Sequence, residues 1–274
     1  MRLLSLRAAA GSALALAALG ACRSVRSPAT PSAPPAAVPV RTSYDDGDDV
    51  IAAMRERYDG MWYRTLTFVQ KTSRLQTDGK WNVQNWFEAM KLPGLLRIDF
   101  EPISAGNGVL YARDSAFTIR NGRPLPGQPS INPLLLLGFD VYSNPPRRSA
   151  ALLRKEGFDL SRVHAGSFQG RPMIVVGSRQ RSDSLRKQFW IDAEHLYFVR
   201  TLGPAPNDPT KVQDVRFVNY QRRGTAWIAP RVEIYSAGKL VFVEEYSDIR
   251  TNLSLDDALF NPEKWKTARH WLAP

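Results

Sequence analysis

The chain has a single cysteine, Cys22, in 274 residues. One thiol excludes an internal disulfide, so the fold must be held by burial alone, which a chain of this length permits. Histidine is nearly as scarce: His164, His195 and His270 are far apart, with no spacing such as His-Glu-x-x-His. No glycine-rich phosphate loop is present. Gly166-Ser167-Phe168-Gln169-Gly170 matches a nucleophile elbow only superficially, and the Ser184-x-x-Lys187 pair lies in a polar turn. With no nucleophile, base or metal constellation, the chain is expected to be no enzyme and to need no cofactor. Long apolar runs are absent too. Ala8 to Leu19 spans about a dozen residues, short of the roughly 20 that cross a bilayer.

That short run has a clear use. Arg2 and Arg7 give it a basic start, and it ends in Leu19-Gly20-Ala21-Cys22, the layout of a secretory signal. Those four residues resemble the lipobox of bacterial lipoproteins, in which the cysteine becomes the acylated first residue. The resemblance implies a signal peptide over 1–21 and a lipidated Cys22 that attaches the protein to a membrane. An ordinary cleaved signal that happens to contain a cysteine is the alternative. Each buried methylene contributes about 0.8 kcal/mol, so one chain holds weakly and the three of a lipoprotein hold firmly. Arg23 stands where an aspartate often signals inner-membrane retention, so the resemblance implies the outer membrane, facing the periplasm.

Residues 22–42 then form a proline-rich linker. Ser24 to Thr42 holds five prolines and no acid. Proline fixes φ and removes backbone donors, which favours extended polyproline II and gives a reach of roughly 60 Å at about 3.1 Å per residue. Residues 43–274 have ordinary globular composition and the length of one domain. Five of the 37 cationic side chains lie before residue 43, leaving 32 against 26 acidic ones, or +6. This excess suits either anionic lipid headgroups or a merely solvated basic surface. No basic–aromatic module points to nucleic acid, and a monomer is expected.

The pattern along this domain is a helix, a set of strands, a helical break and more strands. Asp45 to Asp49 offers caps for a helix over 48–58, with Val50, Ile51, Met54 and Tyr58 on one face. Period-two stretches follow at 65–72, 81–91, 96–100, 109–113 and 116–120, punctuated by Asp78-Gly79, Pro93-Gly94, Asn107-Gly108 and Asn121-Gly122. Leu134 to Leu137 and 149–156 read as helices separated by Asn144-Pro145-Pro146. Strands resume at Phe168, with Gly170-Arg171-Pro172 as a turn, and continue to Tyr246. The total is about ten or eleven strands. A long antiparallel meander curls, and its concave face must be filled. Trp62, Phe68, Trp86, Met90, Phe100, Tyr111 and Phe117, with Leu134, Leu135 and Leu137 from the helical lid, are the candidates to line it. Periodicity alone leaves two readings open, a dry core or a ligand cavity.

Trp190-Ile191-Asp192-Ala193-Glu194 followed by Phe198-Val199-Arg200 resembles a hairpin of the outer-membrane lipoprotein-sorting (LolA/LolB-like) family. Trp227 to Tyr235, then Gly238-Lys239-Leu240, resembles that family's closing strands, and Phe260-Asn261-Pro262 its C-terminal ending. Phe68-Val69-Gln70, Asp78-Gly79-Lys80 and Lys91-Leu92-Pro93 match upstream pieces in order. The chain departs from the family's carrier at Leu92, where that carrier has an arginine. The resemblance implies an α+β fold: a strongly curved antiparallel sheet, an incomplete β-barrel, with helices covering its concave face. It further implies that the candidate residues form an apolar cavity for lipid or lipoprotein acyl chains. Sheltering a chain of about 14 methylenes contributes on the order of 11 kcal/mol. An envelope protein whose cavity is filled, acting through protein partners, is the other reading.

Overall fold

The computed structural model describes residues 43–180 and 182–272. The expected signal peptide over 1–21, Cys22 and the expected linker to residue 42 lie outside the described residues.

Asp46 caps the first helix, α1 (Gly47–Arg57), by accepting from the Asp49 amide, and Val50, Ile51 and Met54 bury its apolar face. Five strands follow: β1 (Thr65–Leu75), β2 (Trp81–Lys91), β3 (Leu95–Phe100), β4 (Gly108–Ala112) and β5 (Ser115–Arg120). Two short pieces, β6 (Arg123–Pro124) and β7 (Gln128–Pro129), pair with β5. The helical segment comes next, as α2 (Pro133–Gly138) and α3 (Pro146–Lys155), with a 3-10 turn at Asp140–Tyr142 between them. Asn132 caps α2 by accepting from the Leu134 and Leu135 amides. The chain then runs through β8 (Val163–Phe168), β9 (Arg171–Val176), β10 (Gln188–Asp192), β11 (Phe198–Ala205) and β12 (Asp208–Val218). A separate hairpin, β13 (Gln221–Arg223) with β14 (Ala226–Ile228), precedes the closing strands β15 (Arg231–Ser236) and β16 (Lys239–Thr251).

Fourteen strands form one antiparallel sheet in the order β6-β5-β4-β3-β2-β1-β16-β15-β12-β11-β10-β9-β8, with β7 beside β5. The last long strand therefore pairs with the first, and the sheet opens between β6 and β8 rather than closing into a barrel. The helical segment is the connection from one open edge to the other, and it must cross the inner face. Its apolar residues, Leu135 to Leu137, Phe139, Val141 and Leu153, join α1 and the sheet's inward side chains in the main core. Arg154 of α3 forms an ion pair with Asp48 of α1. A second, smaller core lies on the outer face, where Leu259, Phe260 and Trp265 cover Ala89, Leu110, Ala112 and Ile119.

The sequence expectation for the fold class is met. Two details differ. A strand over 163–168 precedes the turn expected near Gly170, and Pro172 lies inside β9, not in a turn. Proline is admitted there because the ladder needs no donor from it at that register.

Candidate functional site

Strand alternation sorts the candidate residues by face. Leu66, Phe68 and Gln70 of β1 stand opposite Met90, Glu88 and Trp86 of β2, and these opposite Leu96, Ile98 and Phe100 of β3, all on the inner face. Leu96 is in turn opposite Tyr111. Phe117 is the exception. It pairs with Leu110, on the outer face, and packs with the smaller core under the Arg113 guanidinium, 5.7 Å from its ring. Its assignment to the inner lining is corrected: a single register step places it one face away.

The inner residues divide into a packed middle and an open end. Trp62 stacks on Tyr142 at 3.8 Å and meets Tyr58 edge-on at 4.7 Å. Phe68 stacks on Tyr246 at 4.1 Å. Trp62, Phe68, Met90, Leu135 and Leu137 are all buried among their neighbours. The space left beside Tyr111, Leu135 and Asp140 is about 30 Å³, about the volume of one water. Leu134 and Tyr111 are half-buried at the margin of this core. Toward the far end of β2 the helices no longer cover the sheet. Trp86, Phe100 and Phe242 are half-buried there, with centroids 4.9 Å apart for Trp86–Phe100 and 6.3 Å for Trp86–Phe242.

Between the two regions lie two acids. Glu88 is 4% exposed as a residue, and among the described residues no hydrogen bond or ion pair reaches its carboxyl. Burial, and then the charge of Glu244, pushes it well above the usual carboxylate range. Glu244 is pushed up to about 7 by burial, and the Tyr246 hydroxyl donates to it at 2.7 Å.

A more open apolar space lies elsewhere. A groove of about 520 Å³ runs between the segment entering α1 and the β8–β9 edge, floored by Tyr44, Val163, Ala165, Met173, Ile174 and Ala193. Sequence reasoning missed it because β8 was not recognised: His164, Ala165, Gly166 and Ser167 separate its two strongly apolar residues, Val163 and Phe168, and hide the period of two. A second groove, of about 480 Å³, lies between Phe168, Leu202, Val212 and Tyr235. There Arg200 and Arg216 both donate to Asp214, at 2.6 to 2.9 Å, and stack on Phe168, Trp190 and Tyr235. Asp192, Glu194 and His195, scattered in chemistry when read along the chain, come within 4.8 Å of one another. Arg171 already donates to Asp192 at 2.7 Å and lies 2.9 Å from the His195 ring nitrogen, so the trio is an ion-pair corner of the β10–β11 turn.

An unclosed antiparallel sheet with helices crossing its inner face is the LolA-like fold, and comparison with solved structures shows this chain to have it. It superposes on a DUF1329 family protein from Desulfovibrio piger with a TM-score of 0.53 and 14% identity, over 78% of this chain and 95% of that one. An outer membrane lipoprotein-sorting domain from Vibrio parahaemolyticus gives 0.51 at 11% identity, over 80% and 97%. A LolA superfamily protein from Nitrosomonas europaea gives 0.49 at 13% identity, over 77% and 97%. No protein-family model matches the sequence, and no curated protein matches it.

Proposed function

We propose that this protein is a non-enzymatic lipoprotein, anchored through Cys22 to the outer membrane, that shelters lipid or lipoprotein acyl chains during transport or insertion in the periplasm. The observation that carries the reading is the apolar groove of about 520 Å³ at the β8–β9 edge. Its size lies within the roughly 300–1,000 Å³ of ligand sites, and its lining is mostly apolar, with Ser43, His164 and Glu194 as the polar members. The LolA-like fold supports the same reading, since the Vibrio parahaemolyticus neighbour is described by lipoprotein sorting. The cavity residues expected from sequence are replaced in this proposal: Trp62, Phe68, Met90, Leu135 and Leu137 are buried in the main core and do not line the groove.

The test uses the full chain with Cys22→Ser, exported to the periplasm and purified without detergent. Native mass spectrometry is expected to find a co-purified lipid, lost on Ile174→Glu in a protein with unchanged circular dichroism. In the unaltered chain, a radiolabelled fatty acid is expected on Cys22. An empty protein that also ignores a fluorescent fatty acid would favour the second reading, an envelope protein acting through protein contacts. The packed middle of the inner face, with Trp62 stacked on Tyr142, is the observation on that side.

A further inference from the structure

The inner-face acids lack a counter-charge. Register places Glu88 beside Phe68 and Ile98 and one step from Trp86 and Phe100, while Glu244 lies opposite Thr72 and one step from Phe242. Gln70 and Tyr246 sit between the two carboxyls, and Gln70 turns its amide to Thr72, at 2.8 Å. Tyr111 approaches Glu88 from β4. The domain holds 32 cationic side chains against 26 acids, yet among the described residues none forms an ion pair with Glu88 or Glu244. A buried carboxyl without a donor, as at Glu88, is costly, and the half-buried Glu244 nearby adds like charge to it.

The surroundings say what such a pair could accept. Trp86, Phe100 and Phe242 are half-buried rings on the same face, one register step along β2, β3 and β16 from the acids or their partners. One ring already takes a cation, for the Arg74 guanidinium lies 5.4 Å from the Phe242 centroid. Aromatic faces attract weakly hydrated organic cations, with the attraction rising as water is removed. A calcium ion needs six to eight oxygen ligands, which two carboxyls and a phenol supply poorly.

We propose that Glu88 and Glu244, walled by Trp86, Phe100 and Phe242, form a binding site for an organic ammonium group. A cation nearby favours the ionised carboxyls, which then supply the charge, and the rings exclude water around the ligand's carbon-bound nitrogen. The site is separate from the β8–β9 groove and does not depend on acyl-chain binding there.

The test is calorimetric titration of the full-length Cys22→Ser protein with choline and with 3,3-dimethylbutan-1-ol, its uncharged isostere of the same shape. Choline is expected to bind at least about tenfold more tightly, and Glu88→Gln and Glu244→Gln are each expected to remove that preference. Both variants keep side-chain shape, and their thermal midpoints report whether they fold. Phe242→Leu keeps both acids and is expected to weaken choline while sparing the fold. Equal affinities for the two ligands would overturn the proposal. So would retention of the preference in a folded Glu88→Gln protein, or displacement of choline by millimolar calcium with calcium binding more tightly. Loss of lipid on Ile174→Glu with choline binding intact would show that the two sites stand or fall separately.

Discussion

Arg97 and Asp99 illustrate what one buried pair does for this fold. Both lie on the outer face of β3, with side chains 4% and 2% exposed, and join through two hydrogen bonds of 2.7 and 2.8 Å. The guanidinium also lies 3.7 Å from the Trp265 ring and donates to the Trp265 carbonyl, so it fastens the C-terminal segment to the sheet. Burial by itself would raise the Asp99 carboxyl, but hydrogen bonds from Arg97 and from His270 outweigh it and hold the group below the usual range. Asp99→Asn leaves a buried guanidinium with half its partners. The expected cost is about 3–5 kcal/mol, read as a lower denaturation midpoint in urea.

At the level of elements, the outer core depends on close approach between β3, β4 and the C-terminal turns. A Cβ on Gly108 would meet the Ile98 carbonyl at 2.1 Å and the Trp265 ring at 2.7 Å, neither of which is a flexible end. Gly108→Ala is therefore expected to destabilise by about 1–3 kcal/mol, with indole fluorescence of the unfolded form appearing at lower urea. The helical segment works differently. Leu135 to Leu137 are buried because the crossover from β7 to β8 runs across the inner face. The helices thus fill the middle of the half-barrel, and the open spaces are displaced to its edges.

For the whole molecule, the balance of buried acids sets a pH dependence. Asp140, which accepts from the Gly94 amide at 2.8 Å, is pushed up to about 7 mainly by burial, as is Glu244, and Glu88 is also raised well above the usual carboxylate range. In the unfolded chain these groups titrate near about 4. Between about pH 4 and 7 the folded state therefore holds more protons than the unfolded one, and stability falls as pH rises. Asp99 and Asp192 have the opposite sign, being held below the usual range despite burial, so their contribution is lost only as pH falls below about 4. Thermal melts are expected to give a higher midpoint at pH 5 than at pH 7.5. Asp140→Asn combined with Glu244→Gln is expected to flatten that slope.

Local chemistry settled much of this in advance. The capping aspartates before α1, the Asp78-Gly79 turn, the alternation over 81–91 and the leucine run before Asn144-Pro145-Pro146 all act within a few residues, and each element lies close to where these signals put it. The inner face of β1 to β4 was legible for the same reason, because a side-chain period of two needs no knowledge of the partner strand. Three things were decided only by tertiary structure. Phe117 changed face because a one-residue choice of register in a short strand is made by its neighbour. The pairing of β16 with β1, across most of the chain, created the Glu88–Glu244 site from residues that share no local pattern. Whether the inner aromatics line a cavity or make a core depended on the path of the crossover, which places α2 and α3 against Trp62 and Phe68 and leaves Trp86 and Phe100 uncovered. Periodicity states which side of a strand is apolar; only the packed chain determines what that side is pressed against.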